Sequence, residues 1–325
     1  MSEILSLASA NLISPIILSF ALGLAAAMAR SDLSIPEAVA KGMSIYLLFA
    51  IGFKGGAAVA SHGIDATLLL AIGAGIILSF GLPFIAYALL RVLTRFSALD
   101  AAAVAAHYGS ISIVTFVAAT SVLEGRGIDS EGYMVAVAAA MEAPAILSAL
   151  WLVARSGSGG KMEPGLMREI MLNGSIVLLV GSFAIGIMTG EKGLAEIAPF
   201  IVSPFKGVLC LFLLDMGLVA GRGLRQSRGV LGLGAVAFGI MMPLAGSLLG
   251  LGFGMAIGLS MGGVVLMMVL AASASYIAVP AAMRVALPEA DPAIYLTLSL
   301  GVTFPFNLTL GIPLYVALAT MMVGG

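Results

Sequence analysis

The feature that most limits what this chain can become is a succession of long apolar stretches, each closed by charged or Gly/Ser-rich residues. Ten qualify, at about 12–29, 36–60, 66–92, 98–122, 131–155, 170–190, 197–221, 228–252, 257–285 and 294–322. Most reach the roughly 20 residues that carry a helix across a bilayer. Soluble domains hold roughly 25% charged residues, whereas this chain has 10%, against 61% hydrophobic. So much apolar surface cannot be hidden in one water-soluble domain, which excludes soluble enzymes and nucleic-acid binders. The net charge of -1 offers a polyanion nothing to bind. No ten-residue alternating pattern recurs, so a β-barrel is disfavoured. The expected class is an all-α integral membrane protein with ten transmembrane helices.

Only Glu3 is charged ahead of the first stretch, which then runs past Arg30 into further spans, so it reads as a retained helix and not a cleaved leader. Lysine and arginine set the orientation. With the N-terminus outside, eleven of the fifteen fall on the inner side, among them Arg30, Arg91, Arg95, Lys161 and Arg168. The outer loops hold only Arg126 and Lys192. Both termini are therefore expected outside a cell (inner or plasma) membrane, with 156–169 as a short cytoplasmic linker. One cysteine, Cys210, and two histidines, His62 and His107, supply neither a disulfide framework nor a transition-metal centre. No organic cofactor is expected.

The two halves, 1–155 and 170–325, resemble each other at an offset of 160 to 165 residues. Ser19-Phe20-Ala21-Leu22-Gly23 matches Ser182-Phe183-Ala184-Ile185-Gly186, and Pro83 matches Pro243. Val122-Leu123-Glu124 matches Leu287-Pro288-Glu289, and Glu142-Ala143-Pro144 matches Thr303-Phe304-Pro305. Each half has five spans, an odd number, so the second must sit inverted in the membrane. Inverted repeats are the mark of secondary transporters. The alternative is a duplication kept only for stability.

Two spans are interrupted. The fourth carries His107-Tyr108-Gly109-Ser110-Ile111-Ser112, and the ninth carries Ser273-Ala274-Ser275-Tyr276 followed by Pro280. At an offset of 165, Tyr108 falls on Ser273 and Ser110 on Ser275. Gly and Ser are weak helix formers, and Ser favours N-caps. Irregular backbone is tolerated in a membrane only where protein or a polar cavity covers it. Half-helices starting at the breaks would aim N–H groups and positive dipole ends at the midplane. This makes a small-anion site without a buried arginine, with Tyr108, Gly109, Ser110, Ser112, Ser273, Ala274, Ser275 and Tyr276 as candidate anion ligands. Alternatively, the serines bond their own i−4 carbonyls or let helices approach closely. His107 reads as a helix-break residue. An intramembrane hydrolase built on Ser110 and His107 lacks an acid to orient the histidine.

Glu142 lies near the middle of the fifth span, opposite Thr303 in the repeat; Asn307 and Thr309 follow Pro305, and Thr115 follows the fourth-span break. Carboxylate, hydroxyl and amide oxygens suit Na⁺, so Glu142, Thr303, Asn307 and Thr115 form the candidate cation set. The other reading is a carboxyl that titrates or is held neutral by burial. Lys54 and Asp215 are not expected to pair, since their depths differ by roughly 16 Å at about 1.5 Å per residue. Lys54 is left to snorkel, guide anions or meet another carboxylate.

Several strings resemble the sodium-dependent bicarbonate transporters first known from cyanobacterial carbon-concentrating systems. They are Ser31-Asp32-Leu33-Ser34-Ile35-Pro36-Glu37, Ala50-Ile51-Gly52-Phe53-Lys54-Gly55-Gly56, the stretch 107–116, and Thr303-Phe304-Pro305-Phe306-Asn307. The resemblance covers nearly the whole chain. It implies a five-plus-five inverted fold, with a gate of spans 1, 2, 6 and 7 and a core of spans 3–5 and 8–10. It also implies a homotrimer, bicarbonate between spans 4 and 9, and Na⁺ nearby. Members regulated by a PII-like signalling protein have a longer charged segment between the halves. Here 156–168 is short and includes Ser-Gly-Ser-Gly-Gly, which argues against that partner. The expected activity is Na⁺-coupled symport of bicarbonate or a similar small monoanion by alternating access. The alternative is H⁺- or Na⁺-coupled transport of another small carboxylate.

Overall fold

The computed structural model describes residues 13–63, 65–142, 144–155, 172, 174–226, 231–276, 279–280, 283 and 287–323. The expected linker at 156–169 and parts of the ninth span lie outside the described residues. Among those described, every regular element is helical: α1 (Pro15–Met28), α2 (Glu37–His62), α3 (Ala66–Leu93), α4 (Ala98–Gly109), α5 (Ile113–Gly125), α6 (Met134–Ala140), α7 (Pro144–Arg155), α8 (Gly174–Ile201), α9 (Phe205–Gln226), α10 (Leu233–Ile257), α11 (Met261–Ala272) and α12 (Pro292–Val323). Eight segments, counting α4–α5 and most of α6–α7 as one each, are long and apolar enough to cross a bilayer. Two of the ten expected spans appear as shorter apolar helices, α1 and α11. α11 is short because it breaks at Ser273.

Helix starts follow local chemistry. Ser14, Asp65, Ser97, Ser112, Ser260 and Asp291 each accept a hydrogen bond from a first-turn N–H, satisfying donors that the helix itself cannot. The sixth expected span ends at 190 because α8 kinks at Gly190, where φ is 60° and ψ -155°. The helix then continues to Ile201, so the seventh starts later than expected, at Phe205.

Two sets of helices each pack closely within themselves and meet where α2 approaches Gly132 and α9 approaches α12. In one, α1 lies along α9 and α2 along α8. Backbones touch there, since a Cβ on Gly23 would overlap the Leu214 carbonyl and one on Gly217 the Phe20 carbonyl. The α2–α8 pair repeats this: Gly56 abuts the Phe183 carbonyl and Gly186 the Phe53 carbonyl. Small residues that let backbones approach are a main source of helix adhesion in lipid. In the other set, α3 packs on α4 and α10 on α11, and α3 and α10 also meet. The most apolar stretch of α4–α5 is wholly buried inside the protein, while most of the corresponding stretch of α8 is not.

Two helix starts are capped alike and tied to distant segments. Ser97 caps α4 and Ser260 caps α11. Asp100 in α4 accepts from the Asp291 N–H at the start of α12, at 2.9 Å. Reciprocally, Glu131, just before α6, accepts from the Ser260 N–H at 2.6 Å and the Ser260 hydroxyl at 2.9 Å.

Candidate functional site

The interruption between α4 and α5 and the one that ends α11 lie against each other. α4 ends at Gly109 and Ser110 turns extended, with φ -88° and ψ 162°. α11 ends at Ala272 and Ser273 does the same, with φ -86° and ψ 163°. Ser110 is thus the backbone counterpart of Ser273. Ser112 caps α5, and Ser275 accepts from the Val279 N–H at 3.4 Å in the other half. The register expected from sequence, with Ser110 on Ser275, is therefore two residues out. Ser and Gly signal a break equally well, but only geometry tells the residue ending one half-helix from the one starting the next.

Two bonds join the breaks. The Ser275 N–H donates to the His107 carbonyl at 2.7 Å, and the Ser112 N–H donates to the Ser273 hydroxyl at 2.9 Å. Gly109 sits where a side chain would strike the Pro83 ring, so α4 presses its broken end on the α3 proline.

Donors and acceptors at the junction are not balanced. Several carbonyls at the helix ends are engaged. Ala106 receives the Ser110 N–H at 3.3 Å, Leu270 the Ser273 hydroxyl at 2.9 Å, and Ala272 the Asn307 amide at 2.9 Å. At the start of α5, the Ser112 hydroxyl accepts one backbone N–H, that of Thr115, at 3.2 Å. The N–H groups of Ile113 and Val114 have no acceptor within their own helix. Together with the unpartnered Ser110 hydroxyl, these N–H groups are donors of the kind an anion requires.

The hydroxyls divide in the same way. A serine hydroxyl has one proton and two acceptor positions. Ser273 donates to Leu270 and accepts from Ser112, so it is committed. Tyr108 is committed too: the Thr303 hydroxyl donates to the Gly239 carbonyl at 2.6 Å, which leaves it to accept from Tyr108 at 2.7 Å. Ser112 accepts from the Thr115 N–H and hydroxyl, and Ser275 from Val279, so both retain a proton to give. The Ser110 hydroxyl is buried, 1% exposed as a residue, and has no partner. The Tyr276 hydroxyl is also buried and unpartnered, turned toward Ser112 outside hydrogen-bond geometry. Ala274 is buried between Ser273 and Ser275 and contributes no side-chain donor.

His107 donates from Nδ1 to the Ala103 carbonyl at 2.7 Å and stacks on Tyr295, with centroids 4.5 Å apart. Its Nε2 and the Ser110 hydroxyl are both unpartnered, so they do not bond each other. No nucleophile–base pair exists there.

The fifth and tenth spans are also irregular. α6 stops at Ala140, and α7 starts at Pro144, whose ring disfavours helix in the residue before it. Between them Glu142 is buried, with Oε2 unpartnered, and the Met141 carbonyl accepts from the Ser79 hydroxyl at 2.6 Å. α12 widens into π-helical turns at Thr297–Thr303 and Asn307–Gly311, on either side of Pro305. Such widenings are frequent at functional sites. Nothing in the sequence beyond the two prolines announces these irregularities.

The candidate cation residues are not joined by hydrogen bonds. Thr115 donates to Ser112 at 2.9 Å, Thr303 is held by Gly239 and Tyr108, and Thr309 bonds back to the Pro305 carbonyl at 2.7 Å. Asn307 donates to the Ala272 carbonyl and accepts from Tyr315 at 2.8 Å. Glu142 keeps a free buried oxygen. Lys54 meets Glu124 at 3.0 Å, not Asp215. The shared outer depth of Lys54 and Glu124 was the available sequence signal for that pair.

Among curated proteins none matches the chain. The sequence profile of the Na⁺-dependent bicarbonate transporter superfamily matches residues 15–320, so the chain belongs to that superfamily.

Proposed function

We propose that the protein is a Na⁺-coupled symporter of bicarbonate, or a similar small monoanion, working by alternating access. The observation that carries this reading is the hydrogen-bonded junction of the two broken helices. There the Ser110 hydroxyl lacks a partner, Ser112 and Ser275 keep protons to donate, and the backbone of α5 offers N–H groups. A planar oxyanion seated there meets donors from both halves and no side-chain charge. Glu142 supplies a buried carboxyl oxygen for Na⁺, and a nearby cation lowers the cost of taking the anion out of water.

The ten-span, five-plus-five inverted arrangement draws support from the paired glycine contacts, the reciprocal helix-end bonds and the matched breaks. The α1, α2, α8 and α9 set serves as the gate, and the other spans as the core carrying the site. Both termini outside, a cell membrane location and a homotrimer complete the reading. A PII-like regulator is not part of it.

The test is uptake of labelled bicarbonate into proteoliposomes with and without an inward Na⁺ gradient. Uptake should rise with Na⁺, and strong uptake indifferent to Na⁺ would reject the coupling. A second reading, H⁺-coupled transport of another small carboxylate, rests on the same free Glu142 oxygen, which a proton could also occupy. Varying external pH at fixed Na⁺ separates the two.

A further inference from the structure

A cavity of about 180 Å³ lies between the two helix sets. One wall is Lys54 on α2 and Phe205 on α9; the facing wall is Phe116, Ser121 and Glu124 on α5. It starts one helical turn beyond Ser112, since four residues advance about 6 Å along a helix. It extends to Glu124, at the end expected outside. Its volume far exceeds the about 10–15 Å³ that one water requires.

Three features set the chemistry of this cavity. The Lys54 ammonium is the only cation among its lining residues, and the Phe205 ring, 5.6 Å from Nζ, holds it on its own side. Ser121 is 5% exposed, and its hydroxyl has no partner. Of the two carboxylates, Glu131 is spent on Ser260, with both oxygens engaged. Glu124 binds Lys54 with both side chains substantially open, at 32% and 45% exposure. Exposed pairs of this kind are worth little net free energy, so another carboxylate-like ligand can take the place of Glu124.

We propose that this cavity is a staging site for the transported anion. Lys54 exchanges the Glu124 carboxylate for the oxygens of an incoming small monoanion, and the Ser121 hydroxyl gives the second bond. The proposal rests on the transport reading for its substrate class and adds a binding step outward of the joined breaks. No covalent bond changes. The anion replaces one carboxylate on the ammonium, and Glu124 turns to water.

In Na⁺-driven uptake, K54Q should raise KM about tenfold, the scale of one charged hydrogen bond. E124Q should lower KM, because it removes the competitor. The double variant should behave like K54Q. If K54Q and E124Q shift KM in the same direction, the pair is only a latch between helix sets and the site is overturned. A second readout does not need transport. In a C210A background, the T120C thiol lines the cavity, and its modification rate is measured with and without bicarbonate or nitrate. Slowing that requires Lys54 and grows in E124Q supports the site. Unchanged rates, or protection that survives K54Q, overturn it. Protection by nitrate in a protein that takes up no bicarbonate would keep the site and defeat the transport reading.

Discussion

Ser110→Ala is expected to make the empty protein more stable and the transporter worse. Ser110 is fully buried, its hydroxyl has no partner, and its backbone is extended, a conformation alanine adopts freely. Its N–H keeps the bond to Ala106 because that bond is made by the main chain. A buried polar group without a partner costs about 1–3 kcal/mol, so removing it should return up to that amount. Once an anion is bound, the same hydroxyl gains its partner, and its loss should weaken affinity by about 1–3 kcal/mol, or about 5- to 150-fold in KM. Ser273→Ala is the control. Its hydroxyl bonds Leu270 and Ser112, so truncation leaves the Ser112 N–H stranded and should lower stability by about 1–3 kcal/mol. Thermal unfolding in nanodiscs without substrate gives the first quantity, and uptake kinetics the second. A destabilised S110A with unchanged KM would refute the reasoning, since the hydroxyl would then serve the fold and not the anion.

E142Q keeps the volume of the buried side chain and removes its charge; uptake should lose its dependence on Na⁺, and a Na⁺ response equal to the parent's would sink the cation assignment. G217A pushes a methyl into the Phe20 carbonyl and should cost about 1–3 kcal/mol of overpacking, whereas G42A has open space and should be neutral or gain up to about 0.5–1 kcal/mol in a helix. Equal melting temperatures for these two variants would contradict the close packing of α1 and α9. E131A removes the acceptor for both the Ser260 N–H and hydroxyl at the start of α11, so a loss of about 0.5–2 kcal/mol is expected in the same unfolding assay. Rescue by E131D, but not by E131K, would identify the cap as the cause.

Much of the architecture could be read from residue types, because a bilayer punishes exposed polar backbone so heavily that long apolar runs have few alternatives. The breaks were legible for the same reason, since Gly109, Ser110 and Ser112 in an otherwise apolar span make sense only beside a polar neighbour. Their register was not legible. Whether Ser275 answers Ser110 or Ser112 depends on which residue ends a half-helix, and the backbone angles of Ser110 and Ser273 decide it. The donor–acceptor balance also escaped the sequence, because it depends on distant partners such as Asn307 at Ala272 and Ser275 at His107. Tyr108 looked like an anion ligand by proximity, yet its proton goes to Thr303. Lys54 could be denied Asp215 by depth alone, but choosing Glu124 required knowing which helices face each other.

These ties bear on how the site could be exposed to each side in turn. The two breaks are bonded to each other through main-chain donors, so separating them would strand the His107 carbonyl and the Ser112 N–H in a dry interior. Each stranded group costs several kcal/mol in lipid, which disfavours opening the site by parting α4–α5 from α11. The α1–α9 and α2–α8 pairs are equally hard to part, because their backbones meet at glycines on both helices. At the cavity, the direct polar link between the two sets is Lys54 with Glu124, half-open to solvent and weak on its own. For the proposed transport, a motion that leaves each set intact and slides one past the other spares all of these bonds. Within the proposed symport, that favours carrying an anion and its cation together at the joined breaks over a pathway threading between the spans.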